Sequence, residues 1–229
     1  MIPDPDDRVD YELATRRHYQ DAAVAAAYHA QFTSGLSPRT LSHFLVARAE
    51  QRAVRRLLAP ITHGLTLAAD IPCGTGKLVP VLGKLATVGG DVSRHMMSIA
   101  RAGAREASAP WQFAQLDVTA LPFRSRVFDL VICLRLLHRV PQDIKVAALT
   151  ELARVSRRFI MVSYGVTNAW HSFRQALRSV VRGGNSVPHP ITRESAADLF
   201  GAIGWRVEAR VSPLPVLSAE EVTLLVRDQ

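Results

Sequence analysis

The sequence predicts an α/β fold, a doubly wound and mostly parallel seven-stranded sheet that ends in an antiparallel hairpin. Three observations carry this. From about residue 65, short apolar runs alternate with segments of helical periodicity, the pattern of strand–helix–strand crossovers and hence of parallel strands. Those runs lack polar alternation, as strands covered on both faces should. The last two apolar runs have no helix between them and so read as a hairpin. A chain of 229 residues, 48% hydrophobic and 21% charged, suits one globular domain.

Residues 8–32 are Ala-rich and read as helical, with Tyr11, Tyr19, Tyr28 and Phe32 among them. After a break at 34–40, Thr40 or Ser42 caps a helix whose apolar positions, from Leu45 and Val46 to Leu57 and Leu58, recur at helical spacing until Pro60. LTLAADI (65–71) is the first buried strand, and PCGTGK leads into a helix from about Leu78 to Leu85. TVGGDVS (87–93) is the second strand, followed by a helix over 93–106 with Ser93 as N-cap. WQFAQLDV (111–118) and VFDLVICLRLL (127–137) are the third and fourth strands, 142–156 a helix, and RFIMVSY (158–164) the fifth strand. A helix over 192–204 opens at Thr192, with Glu194 and Ser195 in its first turn, and ends at Gly204. The strands 205–213 and 220–228 close the chain. We expect one domain over 1–229: a helical cap (1–60), then a core (61–229) with a substrate-covering insertion at about 165–191.

The net charge of +8 invites anionic partners, but Lys77, Lys84 and Lys145 are the only lysines and the arginines are scattered. A basic total without a basic face is poor evidence for nucleic acid, and none is expected as a partner. Arg174, Arg178 and Arg182 would share one helix face, read as a solvated face or a contact for an acidic group. No apolar run approaches the roughly 18–20 residues of a membrane span, so stable membrane insertion is not expected. The acidic start MIPDPDDRVDYE is unlike a secretory signal, and a cytoplasmic location follows as the expectation. Cys73 and Cys133 have no ligand-type neighbours at metal spacing, and no metal is expected. Oligomeric state is left open.

The segment Asp70-Ile71-Pro72-Cys73-Gly74-Thr75-Gly76 lies between a strand and a helix, where small residues let a ligand approach the main chain. Asp91 ends the next strand, at the separation common for an acid that accepts from a ribose diol. Alone, each has a plain structural reading, as a tight turn or a cap; in this order they point to a nucleoside. The third glycine of a dinucleotide fingerprint is missing, and Asp70 ahead of the turn suits a ligand with a cationic amine better than a pyrophosphate.

DIPCGTG, GGDVSRHMMSIAR and FAQLDVTALPFRSRVFDLVICLRLLHRVP, in order and at these intervals, resemble the class I S-adenosylmethionine-dependent methyltransferases. The resemblance covers roughly residues 65–164 and is nearest to the small-molecule group related to ubiquinone and menaquinone methyltransferases. It implies the Rossmann-like methyltransferase fold and S-adenosyl-L-methionine as cofactor. It places Asp70, Pro72, Cys73, Gly74, Thr75 and Gly76 along the amino-acid half of that cofactor. Asp91 and Val92 would lie at the ribose. Ser93, Met96 and Met97 would lie near the ribose or adenine, Met97 ahead of Met96. Asp117 and Val118 would lie at the adenine amino group and Leu134 near the methionine portion, with Tyr28 laid over the cofactor. Pro72 departs from the commonest motif, which has Gly, and removes one N–H. His138, just after the fourth strand, would be a base or an orienting residue for an acceptor hydroxyl, with a structural loop histidine as the alternative. The implied activity is methyl transfer to a small molecule, with O-methylation favoured. The alternatives are an RNA methyltransferase and a non-catalytic methyltransferase-like subunit.

Overall fold

The computed structural model describes residues 21–33, 38–166, 191–214 and 220–228. Two helices lead, α1 (Ala22–Thr33) and α2 (Pro38–Leu58), then β1 (Leu67–Asp70), α3 (Val79–Leu82), β2 (Ala86–Asp91) and α4 (Arg94–Glu106). Next come β3 (Trp111–Gln115), β4 (Phe128–Cys133), α5 (Gln142–Val155) and β5 (Ser156–Gly165). The described chain ends with α6 (Arg193–Ala202), β6 (Trp205–Val211) and β7 (Glu220–Arg227). The seven strands form one sheet in the order β3-β2-β1-β4-β5-β7-β6. The first five run parallel, and β7 pairs antiparallel to both β5 and β6. The expected doubly wound sheet with a terminal hairpin is therefore present, with β7 inserted between β5 and β6.

Apolar side chains cover both faces, which is why the central strands need no polar alternation. All six residues of β4 are buried. On one face Phe128, Val131 and Cys133 pack with Leu149 and Leu152 of α5, Phe200 of α6 and Trp205. On the other, Leu130 and Ile132 pack with Val54 and Leu57 of α2, Leu82 of α3 and Met97 of α4. Helix α1 lies on α2 and α4, so the N-terminal helices cover one flank of the core.

Among the boundaries that differ from the sequence reading are three of helices and the ends of β3 and β4, at Gln115 and Cys133 rather than 118 and 137. Asp21 accepts hydrogen bonds from the Ala23 and Val24 N–H groups at 2.7 and 3.2 Å, which caps α1 at Ala22; the earlier part of the expected helix lies outside the described residues. Helix α2 starts at Pro38, ahead of Thr40 and Ser42, as proline permits in a first turn. Helix α3 is a single turn rather than 78–85, because Gly83 takes a φ of 55° and its N–H returns to the Val79 carbonyl. Most of the expected substrate-covering insertion, with Arg174, Arg178 and Arg182, falls outside the described residues. Among the described residues no helix is long and apolar enough to cross a membrane.

Two buried acids lock the sheet. Asp129 in β4 accepts from Thr66 N–H (2.9 Å), Thr66 Oγ1 (2.7 Å) and Leu67 N–H (3.2 Å), and pairs with Arg157 at 3.2 Å. Burial would raise its pKa, but these donors and the arginine outweigh it and hold it below the ordinary value. Glu221 in β7 accepts from Tyr164 of β5 at 2.9 Å, pairs with Arg193 of α6 at 2.6 Å and lies 3.4 Å from Arg210 of β6. Asp129→Ala would leave the donors that start β1 unpaired, and it should destabilise the fold by roughly 2–4 kcal/mol. Urea denaturation followed by circular dichroism checks this; a midpoint unchanged from the parent would contradict it.

Candidate cofactor-binding and active site

The turn after β1 is stitched to both neighbouring strands. Ile71 N–H donates to the Ile132 carbonyl of β4 at 2.9 Å, and Cys73 N–H donates to Gly90 of β2 at 2.8 Å. Gly74 and Gly76 then take φ values of 51° and 79°, a region that side chains rarely enter. At Gly76 a Cβ would stand 3.0 Å from the Cα and Cβ of Ala100, so glycine lets α4 close on the turn. At Gly74 a Cβ would meet no atom within 4 Å, because the space above it is the cleft.

Asp91 joins the turn to the next helix. Its Oδ2 accepts from Gly74 N–H at 2.9 Å and its Oδ1 from Ser93 N–H at 2.8 Å. Ser93 Oγ in turn accepts from Met96 N–H at 3.2 Å as the N-cap of α4. Burial raises the Asp91 pKa, opposed by the N–H groups of Ser93, Gly74 and Val92. Asp70, at the end of β1, is buried too, and burial, Asp91 and Glu50 push its pKa well up.

These groups open on one cleft with about 970 Å³ of empty space, part of it facing solvent. Of the sequence-predicted residues, Tyr28, Asp70, Pro72, Cys73, Gly74, Thr75, Asp91, Val92, Met96 and Leu134 border it. The others do not border it. Gly76 shapes the turn and Ser93 caps α4. Met97 packs in the core, so Met96 is the methionine at the cleft, the reverse of the expected preference. Val118 is core, and Asp117 accepts from Thr119 N–H (2.9 Å) and Oγ1 (2.7 Å) within its own turn. His138 is half-buried and does not border the cleft, whereas Arg135 and Arg139 do. Burial drives its pKa down to about 4; Glu220 opposes this while Arg139, Arg135 and Lys145 add to it, so the ring is neutral at neutral pH.

The cleft also holds groups the sequence reading passed over: Glu50 and Gln51 of α2, Lys77 and Leu78 after the turn, and Arg135, Leu136 and Arg139 after β4. Glu50 had a signal. It shares a helical face with Val46, Ala53, Val54 and Leu57, and a charge on an apolar stripe needs a reason. It is 4% exposed, Arg135 lies 3.5 Å from its Oε2, and its Oε1 has no hydrogen-bond partner among the described residues. Burial and Glu220 push its pKa to about 7 against the pull of Arg135 and Lys77. Arg135 has a φ of 62°, strain of the kind that gathers at functional sites, and its N–H donates to Ser163 Oγ at 2.8 Å.

The donor set fits S-adenosylmethionine. Two acids at adjacent strand ends match an ammonium and a ribose diol, and the open space over Gly74 admits a ligand against the main chain. Residues 68–158 match the family described as Methyltransferase domain. Over 102 residues, 44% of this chain, the sequence is 33% identical to the tRNA (carboxymethyluridine(34)-5-O)-methyltransferase alkbh8 of Xenopus tropicalis, covering 15% of that protein. Over 171 residues, 69% of this chain, it is 23% identical to the chloroplastic magnesium protoporphyrin IX methyltransferase of Arabidopsis thaliana, covering 54% of it. The crystal structure of magnesium protoporphyrin IX methyltransferase from Synechocystis PCC 6803 with bound SAH superposes with a TM-score of 0.80 at 17% identity, over 95% of this chain and 100% of that one. The chain thus spans less than two thirds of the length of these curated relatives. Residues 68–158 therefore match a methyltransferase domain, set in a chain with the fold of the S-adenosylmethionine-dependent methyltransferases. The match supports that broad class rather than the narrower ubiquinone and menaquinone group.

Asp91→Ala unpins Gly74 and removes the carboxylate expected from the sequence to accept from the ribose hydroxyls. It should weaken S-adenosylhomocysteine binding by about ten- to a hundred-fold, as expected for losing charged hydrogen bonds. Calorimetric titration checks this, and an unchanged Kd would put the ribose elsewhere.

Proposed function

We propose that the protein transfers the methyl group of S-adenosylmethionine to an oxygen of a small-molecule acceptor. The observation that carries the reading is the pair Asp70 and Asp91, buried at adjacent strand ends and opening on one cleft beside the Gly74–Gly76 turn. The cofactor, when bound, supplies a methyl group already activated by its sulfonium. The chain's own task is to orient the acceptor and exclude water. Asp70 takes the ammonium, Asp91 the ribose hydroxyls, and Leu134 lines the cleft at the carboxyl end of β4. Tyr28 closes over the site from α1.

The small-molecule reading is supported by the extent of the likeness to a magnesium protoporphyrin methyltransferase, which runs nearly the full length of both chains. Transfer to RNA is the second reading. It is favoured by the alkbh8 relative, named for action on tRNA, and by the net charge of +8. That likeness is confined to 15% of the relative's length. Two expectations test the cofactor and the acceptor in turn. S-adenosylmethionine and S-adenosylhomocysteine should raise the melting temperature and NAD should not, since a ligand that binds only the native state stabilises it by mass action. Methyl label from S-adenosylmethionine should then enter a metabolite extract; label entering RNA instead would overturn the small-molecule reading.

The pH profile identifies the base. A base must be deprotonated to act, so the rate climbs as pH rises through its pKa. With His138 as base, the acid limb of kcat/KM on the labelled acceptor lies near pH 4, and His138→Gln lowers kcat by roughly a hundred-fold or more. An acid limb near pH 7 that Glu50→Gln removes would transfer the role to Glu50.

A further inference from the structure

We infer that Lys77 holds the carboxylate of the cofactor's methionine portion, beneath Tyr28; the inference rests on the S-adenosylmethionine reading. An α-amino acid presents a cation and an anion on one carbon. Asp70 answers the cation, so the same end of the cleft needs a fixed donor for the anion. Pro72 cannot serve, because it has no N–H.

Lys77 meets the requirement on four counts. It follows Gly76 directly, and its main chain is pinned from α2, with Gln51 Nε2 donating to its carbonyl at 2.7 Å. Its side chain turns into the cleft under α1, where Nζ donates to Tyr28 Oη at 3.0 Å and lies 4.4 Å from the centre of that ring. The contact fixes a flexible side chain in advance, which lowers the entropy lost on binding. Its charged neighbours are Arg135, Glu50, Glu220 and Arg139, and Glu50 also bears on Asp70, which sets Lys77 on the Glu50 side of the cleft. Finally, burial and Arg135 lower its pKa well below the ordinary value, against the pull of Glu50 and Glu220. A ligand carboxylate laid against it would offset that desolvation.

The test compares S-adenosylhomocysteine with its decarboxylated analogue, which keeps the ammonium and loses the carboxylate. Calorimetry on the parent protein should show a preference of about ten-fold or more for the carboxylate-bearing ligand, as for a charge-assisted hydrogen bond. Lys77→Met should reduce that preference to about three-fold or less and leave the analogue's affinity within about two-fold. Lys84→Met, at an exposed lysine outside the cleft, should change neither. Equal weakening of both ligands, or an intact preference, overturns the assignment; the first result would mean that Lys77 acts by holding Tyr28. If the parent fails to bind S-adenosylhomocysteine at all, the methyltransferase reading itself falls. A second measurement needs no variant of Lys77. The chain has three lysines, so ¹⁵N-lysine labelling gives three Nζ signals, two of them assigned through variants at Lys84 and Lys145. The remaining signal should shift with S-adenosylhomocysteine and stay in place with the analogue; the same shift with both would overturn the inference.

Discussion

The carboxylate of Asp91 carries hydrogen bonds from two directions, and the site depends on both. One comes from Gly74, in the turn that ends β1; the other comes from Ser93, the cap that begins α4. Because β2 lies beside β1 in the sheet, a side chain at the end of one strand reaches the turn of the other. The turn then sits under α4, whose Ala100 backbone comes so close to Gly76 that no side chain fits between. Four elements thus find their places through one buried acid. The cost is desolvation, visible in its raised pKa, and the N–H groups offset part of it. A carboxylate accepts about four hydrogen bonds, so the anchor keeps capacity for a ribose diol.

The rest of the cleft is a set of charges that a protein core would avoid. Asp91 and Glu50 raise the cost of ionising Asp70, and Glu220 raises that of Glu50. Arg135 and Lys77 repel each other among them. Buried ion clusters contribute little to stability once desolvation is counted, so packing does not explain why they gather here. Binding does. A ligand with a sulfonium, an ammonium and a carboxylate supplies both signs at the places where the protein has like charges together. The backbone strain at Arg135 belongs to the same arrangement, since it turns the chain at the end of β4 and carries the guanidinium to Glu50.

How far the sequence revealed this follows from range of interaction. The turn, Asp91 and the order of strands were legible because each rests on neighbours in the chain: glycines at a strand end, an acid at the next strand end, apolar runs with helices between them. Ser93 and Thr192 were legible as caps for the same reason, and both accept the expected N–H. What escaped was direction. Met96 and Met97 are adjacent on α4, and only the packing of that helix sends the first to the cleft and the second to the core. Asp117 reads as a ligand contact in the sequence, and local bonds show only that its Oδ1 accepts from Thr119. Glu50 showed only as a charge on an apolar stripe, and its place at the cleft was not legible because it arrives from α2, far from the turn in sequence.

The terminal hairpin shows how topology completes the site. In a parallel extension of the sheet, the start of β7 would lie at the amino ends of the strands, away from the cleft. Running antiparallel, β7 starts at their carboxyl ends, with Glu220 opposite Gly165 and Val222 opposite Ser163. Glu220 therefore reaches Ser163, whose Oγ donates to it at 2.7 Å and accepts from the Arg135 N–H at 2.8 Å. That chain of bonds ties the strained residue after β4 to the last strand of the fold. Glu221, the next residue, points to the opposite face and is fixed there by Tyr164 and Arg193. One reversed strand thus supplies a carboxylate to each face at the same end of the sheet. The first bears on the cleft through Arg135 and Glu50; the second anchors α6. Without the reversal, the Ser163 hydroxyl that receives the Arg135 N–H would lose the carboxylate to which it donates.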